Sequence, residues 1–381
     1  MPVSDQETVA LGRCPRYHPQ EVRFGLQQIL EPFGGIDALI RPGQKVLLKP
    51  NLLSAASPAE AVTTHPLILR VMTELIHERG GKVFIGDSPG NDSQEKAHHI
   101  CGIQEVIEQT GAEALDFSNT IHKQVQGYRE WNIPLAADLD QVDMVINMAK
   151  LKTHSLTGLT AAVKNIYGCV PGKNKVRFHF EYPLPGDFSR LLLDVYYAVK
   201  PAFSIIDAVI AMEGTGPRRG NPRRVGLLMA SPNALALDNV AANVVGFRSD
   251  QVTTLAAAGE LNLPGSVFSA ISVRGVKLEK CRLTDFNKGP VSNGRLSRLI
   301  ALLPFARIRN LFAGRRPYPR VNKDLCSGCG VCYETCPAQV IDFTGSIPDI
   351  DLDGCIRCYC CQEFCARGAI ELNNTKRFFL L

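Results

Sequence analysis

One cysteine spacing occurs twice near the end of the chain, as Cys326-x2-Cys329-x2-Cys332-x3-Cys336-Pro337 and again as Cys355-x2-Cys358-x2-Cys361-x3-Cys365. A tight C-x2-C-x2-C loop wraps three thiolates round one face of a cubane, and the fourth ligand must come from elsewhere. In the bacterial two-cluster arrangement it comes from the other half of the repeat. By that rule Cys326, Cys329, Cys332 and Cys365 hold one 4Fe-4S cluster, while Cys355, Cys358, Cys361 and Cys336 hold the other. Zinc favours two separated pairs that close a tetrahedron, and disulfides require an oxidising compartment. The polar start, Met1 to Gln6, shows no apolar signal segment. The expected cofactors are therefore two 4Fe-4S clusters, and the expected chemistry is electron handling. Ala366 stands in the second copy where the first has Pro337, which leaves the ligand set intact. Cys360 is surplus to that set and reads as a small filler residue beside a cluster.

A segment as short as Val321 to Leu372 cannot bury much core, so the clusters act as its staples. The whole chain of 381 residues has room for one large α/β domain besides. Its 45% hydrophobic and 21% charged residues are ordinary for a globular protein. No apolar run approaches the roughly 20 residues that span a bilayer; Ala202 to Met212 is short and broken by Asp207. A transmembrane segment is thus not expected. Cys14, Cys101, Cys169 and Cys281 are scattered singly, as buried thiols of a reducing cytoplasm would be, and a cytoplasmic location is expected. A net charge of +5 is too mild to argue for nucleic acid.

The chain divides into three expected parts: an α/β domain over 1–290, an Arg-rich linker over 291–320 and a small α+β, two-cluster ferredoxin-like domain over 321–381. In the first part short apolar runs alternate with helical patterns, the signature of a mostly parallel sheet with helices on both faces. Strands are expected at Val46 to Lys49, Lys82 to Gly86, Met144 to Asn147, Ser204 to Asp207 and Val225 to Met229. Helices are expected at Leu67 to Glu78, with Thr63 and Thr64 as N-cap candidates, at Asp187 to Val199 and at Ala234 to Val245. Between Gly294 and Arg320 the arginines fit a segment that docks the ferredoxin-like part onto the sheet, or a basic amphipathic element for a membrane surface or acidic partner.

Ligands in open parallel sheets bind beyond the carboxyl ends of the strands. Three such exits carry chemistry here: Lys49-Pro50-Asn51 with the loop leading to His65, Asp87 after the third run, and Lys150-Leu151-Lys152-Thr153-His154. The following stretch adds Thr160, Lys164, Asn165 and His179, with Thr160 and Lys164 on one face if helical. Several lysines without matched acids repel one another unless an anion neutralises them, so an anionic small molecule or a flavin is the expected guest. Candidate anion-binding residues are Lys49, Asn51, His65, Lys150, Lys152, Thr153, Lys164 and Asn165; His154 and Asp87 are the candidate proton movers. Asp207 and Glu213, before Gly214-Thr215-Gly216-Pro217, offer a cation site, a base, or a buried ion pair with one of the lysines. Asp238 reads as a helix-dipole residue. His65, His154 and His179 lack regular ligand spacing, and no nucleophile elbow, Walker-type loop or H-E-x-x-H is present.

Lys49-Pro50-Asn51, Thr64-His65-Pro66, Gly86-Asp87-Ser88-Pro89-Gly90, Lys150-Leu151-Lys152-Thr153-His154, Lys164-Asn165 with Gly168, and Gly214-x-Gly216-Pro217 follow in this order. From roughly Lys45 to Phe247 the chain resembles the iron-sulfur branch of the family catalogued as domain of unknown function 362, in which a C-terminal ferredoxin module is a common companion. The resemblance implies an α/β domain and an iron-sulfur protein found mainly in anaerobic bacteria and archaea, and it supplies no reaction. Two functions follow as expectations. One is a reductase that takes electrons from a redox partner protein and passes them through the clusters to an anionic substrate or cofactor. The other is a non-catalytic carrier or maturation factor whose clusters only relay.

Overall fold

Strand alternation shapes the large domain. In the computed structural model, which describes residues 7–90, 92–289 and 316–373, the apolar runs form one nine-stranded sheet. Its strands are β1 (Thr8–Arg13), β2 (Lys45–Lys49), β3 (Lys82–Ile85), β4 (Glu113–Ala114), β7 (Met144–His154), β8 (Gly158–Thr160), β9 (Phe203–Glu213), β10 (Asn221–Ser231) and β11 (Ser272–Gly275). A separate hairpin joins β5 (Thr120–Gln124) to β6 (Asn132–Ala136). The order across the sheet is β11-β1-β10-β9-β7-β2-β3-β4, with β8 paired to β7. Pairs β1/β11, β2/β3, β2/β7, β3/β4 and β7/β9 are parallel, whereas β10 runs antiparallel to both of its neighbours.

Successive side chains leave a strand on opposite faces. Leu47, Ala149, Leu151, Leu227 and Met229 therefore join one core, and Val46, Leu48, Ile146, Met148, Leu228 and Ala230 the other. Helices Pro185–Val199, Ala234–Val244 and Thr253–Glu260 cover the first face; Pro19–Leu30, Pro66–His77 and Ile103–Thr110 cover the second. This is the α/β arrangement with both faces covered that near-continuous apolar strands require.

Three local expectations are corrected. The N-cap of Pro66–His77 is His65, whose Nδ1 accepts from the Leu67 N–H at 3.2 Å, and not Thr63 or Thr64. The strand expected to end at Asn147 runs on to His154, because β9 and β8 offer it partners on both sides: Lys152 pairs with Met212 and with Thr160. Thr160 and Lys164 consequently do not share a helix face, since Thr160 ends β8 and Lys164 lies in the helix Ala162–Asn165.

The cysteine-bearing part holds two ribbons, β12 (Tyr318–Val321) with β15 (Ile370–Asn373) and β13 (Ile341–Asp342) with β14 (Asp349–Ile350), and two short helices, Val331–Glu334 and Cys360–Phe364. Each cysteine loop needs left-handed backbone on either side of its middle cysteine. In the first copy Gly328 and Gly330 supply it at no steric cost; in the second Arg357 (φ 54°) and Tyr359 (φ 67°) adopt it. Tyr359 is held there by burial in the core of the large domain and by donating its hydroxyl to Pro317 O at 2.8 Å. Of the Arg-rich linker, residues 291–315 lie outside the described residues. Arg316 is described, and it donates from Nη1 to Pro183 O and from Nη2 to Ile356 O, each at 3.1 Å, tying the large domain to the second cysteine loop.

Candidate functional site

Alternation along β7 puts Lys150, Lys152 and His154 on one face, all almost wholly buried. An ammonium withdrawn from water needs partners. Lys150 Nζ lies 2.8 Å from Asp207 Oδ2 and donates to the Tyr17 hydroxyl at 2.9 Å. Tyr17 in turn donates to Asp207 Oδ1 at 2.9 Å and stacks on His65 at 3.6 Å between ring centroids. Lys49, at the end of β2, lies 2.7 Å from Asp87 Oδ1 and donates to Pro50 O at 2.7 Å. Gly168 makes room for that pair, since a Cβ there would collide with the Asp87 carboxylate. Two of the lysines thus have matched acids, contrary to the charge balance expected from the sequence, and Asp207 realises the ion-pair alternative.

Lys152 has no carboxylate within ion-pair distance among the described residues. It donates to Asn51 Oδ1 at 2.9 Å and to Val62 O at 2.6 Å. Asn51 Nδ2 donates to Asn165 Oδ1, and Asn165 Nδ2 to Asn147 Oδ1, both at 2.8 Å. This buried amide chain locks Lys152 in place, while burial and nearby Lys164 hold its pKa well below the usual lysine range. Thr153 points the other way and accepts from the Gly216 N–H at 3.2 Å, so it braces a turn.

Lys164 is the exception. Its ammonium stands over the faces of Tyr167 (5.5 Å) and Phe188 (5.7 Å), and no hydrogen bond or ion pair reaches it among the described residues. Asp238 sets its position by accepting from the N–H groups of Ala162 (2.6 Å) and Val163 (3.0 Å), the start of the lysine's own short helix. Asp238 therefore serves a neighbouring helix and not its own, and burial pushes its carboxyl up to about 7. Beside Lys164, His179 stacks on Phe188 at 4.3 Å; its Nδ1 is buried without a hydrogen-bond partner among the described residues, and burial holds the ring down to about 3.

His154 accepts at Nδ1 from the N–H groups of Leu156 (3.1 Å) and Thr157 (3.3 Å), which leaves the proton on Nε2. That nitrogen lies 3.0 Å from Glu363 Oε1, in the helix that follows Cys358. Burial holds His154 down to about 4, so the ring is neutral at pH 7. Glu363 is buried as well, which raises its pKa, yet His154, Lys164 and His179 together hold it down to about 2. With both imidazoles neutral, Lys164 is the charge that matches this carboxylate. The seam continues through the Ser155 hydroxyl, 3.4 Å from Gln362 Oε1, and through Gly90, where a Cβ would collide with Phe364. Cys360 is buried on this side, where its thiol bears on Lys164 and Tyr167.

The cysteines sort into two neighbourhoods. Cys326, Cys329, Cys332 and Cys365 line one cavity together with Gly330, Phe343 and Ile370. Four soft donors round a shared space, with the Ala369 N–H donating to Cys365 Sγ at 3.2 Å, fit a 4Fe-4S cluster. Cys361 lies near enough to Cys358, Cys355, Cys336 and Cys332 for their charge to raise its thiol well above the usual range, burial being the larger cause. Glu363 escaped the sequence reading, although a carboxylate set two residues after a cysteine of the repeat was a signal. Tyr17, Tyr167 and Phe188 carried none.

A family model described as domain of unknown function (DUF362) matches residues 46–243, and one described as 4Fe-4S dicluster domain matches residues 318–366. The chain is 35% identical to a thylakoid-associated protein of Synechocystis over 68% of its own length and 80% of that protein's. A stretch of 69 residues is 36% identical to one subunit of the H2:CoB-CoM heterodisulfide, ferredoxin reductase of Methanothermobacter thermautotrophicus, covering 13% of this chain and 10% of that one. The lactate racemase apoprotein of Thermoanaerobacterium thermosaccharolyticum superposes with a TM-score of 0.41 and 12% identity over 63% of this chain and 57% of that one. Among the described residues no helix is long and apolar enough to cross a membrane. A ferredoxin-like 4Fe-4S domain gives the chain an iron-sulfur redox role.

Proposed function

Because the chain belongs to the family described as domain of unknown function (DUF362) and joins that domain to a 4Fe-4S dicluster domain, we propose that it is a ferredoxin-linked reductase acting on a small anionic substrate at the seam. One observation carries this reading: the 3.0 Å approach of His154 to Glu363, two residues from Cys361, which sets the lysine cluster against the second cysteine loop. In the proposed organisation 1–290 is the substrate domain, 291–320 the linker and 321–381 the redox domain. Cys326, Cys329, Cys332 and Cys365 hold the first cluster, and Cys355, Cys358, Cys361 and Cys336 the second.

When bound, two 4Fe-4S clusters supply one electron each, and a two-electron reduction takes up that pair with two protons, S + 2e⁻ + 2H⁺ giving SH2. Lys164, the lysine left without a hydrogen-bonded partner among the described residues, takes the negative charge of the substrate; Lys152, fixed by the amide chain, adds a second positive centre. His154, neutral and with Nε2 3.0 Å from Glu363, positions that carboxylate, and the two protons come from the ammonium groups of Lys164 and Lys152, whose pKa values burial lowers. Lys49 with Asp87 and Lys150 with Asp207 form the rigid floor. Tyr167 and Phe188 wall the site against water.

The test is anaerobic purification followed by mass spectrometry of small molecules released on denaturation, then stopped-flow oxidation of the reduced protein by the anion so identified. The reading requires near-stoichiometric release and an oxidation that Lys164→Met slows. If no anion is released and none reoxidises the protein, the chain is a carrier or maturation factor.

A further inference from the structure

The two cysteine neighbourhoods differ in exposure. Each has two buried cysteines, Cys332 and Cys365 in the first and Cys358 and Cys361 in the second; in the second Cys336 and Cys355 are half-buried and Tyr359, 2% exposed, belongs to the sheet's own core. The first faces outward, with Cys329 exposed at the mouth of its cavity. Beside it Leu325 is 42% and Tyr333 54% exposed, and the Tyr333 ring lies 6.4 Å from that of Phe343, which lines the same cavity. Electrons reach a buried centre from an outside protein only where that protein can come close, and the second neighbourhood is closed on the side of the sheet.

We propose that the surface formed by Leu325, Cys329 and Tyr333 is the docking site of a small one-electron carrier protein, and that the cluster held by Cys326, Cys329, Cys332 and Cys365 is the point of entry. The step is a transfer of one electron, carrier(red) + cluster(ox) giving carrier(ox) + cluster(red), with no proton and no bond made or broken. Two exposed apolar side chains beside a redox centre suit the small, weak interface of a transient redox encounter; a permanent partner needs a much larger apolar face. An exposed aromatic beside the cluster cavity, as Tyr333 is, is the natural anchor. The proposal concerns electron entry and holds whether or not the seam turns over a substrate.

The experiment uses the full, cluster-loaded chain and a reduced bacterial 4Fe-4S ferredoxin as the carrier. Calorimetry reads affinity, stopped-flow absorbance reads cluster reduction, and dithionite serves as a small donor that needs no docking. Tyr333→Ser and Leu325→Ser are expected to weaken ferredoxin binding and slow its reduction of the clusters by about tenfold, with iron content and the dithionite rate unchanged. Trp131→Glu, on the α/β domain and 71% exposed, is expected to change neither. Unaltered affinity and ferredoxin rate in both serine variants, or an equal loss in Trp131→Glu, would overturn the proposal.

Discussion

His154 Nε2 lies 3.0 Å from Glu363 Oε1, joining the last residue of a central strand to a helix of the cysteine repeat. Because Nδ1 is already occupied by the Leu156 and Thr157 N–H groups, the ring can turn only its protonated nitrogen to the carboxylate. The contact is an electrostatic approach without hydrogen-bond geometry at Oε1 among the described residues, and it ties the redox end of the chain to the lysine cluster. Glu363→Gln keeps the shape and removes the charge. We expect unchanged iron content, with reoxidation by the released anion slowed about tenfold or more. Gly90→Val, by contrast, drives a side chain into Phe364 and costs about 1–3 kcal/mol. Hydrogen exchange should show that loss as faster exchange in the helix Cys360–Phe364; equal exchange in the variant and the parent would mean the seam does not depend on Gly90.

The lysines should separate by role. Lys150→Met leaves Asp207 buried without its ammonium, a loss of about 3–5 kcal/mol, and Lys49→Met does the same to Asp87. Lys164→Met breaks no hydrogen bond or ion pair among the described residues but removes the charge that balances buried Glu363, so chemical denaturation should find a loss smaller than that of Lys150→Met. The same variant should weaken binding of the native anion. If calorimetry shows anion affinity unaltered in Lys164→Met, the lysine is not part of the site.

Exchange of the fourth ligand between the two halves gives a cross-over test. Cys336→Ser is expected to disrupt the cluster of the second loop, and Cys365→Ser that of the first. Electron paramagnetic resonance of the reduced variants, together with iron analysis, distinguishes the two signals. The opposite assignment, or equal loss of both signals in both variants, contradicts the interlocked ligand set.

Imidazoles withdrawn from water set the acid limit of stability. His65 and His154 are held down to about 4 and His179 to about 3, each chiefly by burial, against an ordinary value of about 6.5. Folded values below the unfolded one mean that the unfolded chain takes up protons first as pH falls. Their contribution is thus fully present above about pH 6.5 and is lost as pH falls toward 4. Asp238, pushed up to about 7, acts in the opposite sense, favouring the fold at lower pH across the same window. His98 is lowered by burial as well, while Asp138 and Asp194 are raised in the sense of Asp238; with the three imidazoles shifted furthest, the melting temperature of the anaerobic protein should fall between pH 6.5 and 4.5. His179→Gln should flatten that fall; an identical slope in the variant would show that His179 does not titrate on unfolding.

Much of the architecture was legible because it rests on local rules. Alternating apolar runs marked β2, β3, β7, β9 and β10, and Pro66 marked the start of its helix to within a residue. The true length of β7 was hidden, since its lysines look like loop residues until β8 and β9 supply ladder partners and Asp207 and Asn51 supply counter-groups. The sequence also suggested a pool of equivalent lysines. It could not show which had acids, because Lys150 and Asp207 meet across adjacent parallel strands far apart in the chain.

From its sequence alone this protein is an iron-sulfur chain with an α/β domain, because thiolate spacing and strand periodicity are short-range properties written in consecutive residues. Tertiary structure alone decided that Lys164 stands without a hydrogen-bonded partner among the described residues and that Glu363 reaches His154. Both depend on which surfaces pack together, and burial there sets the charge each group carries.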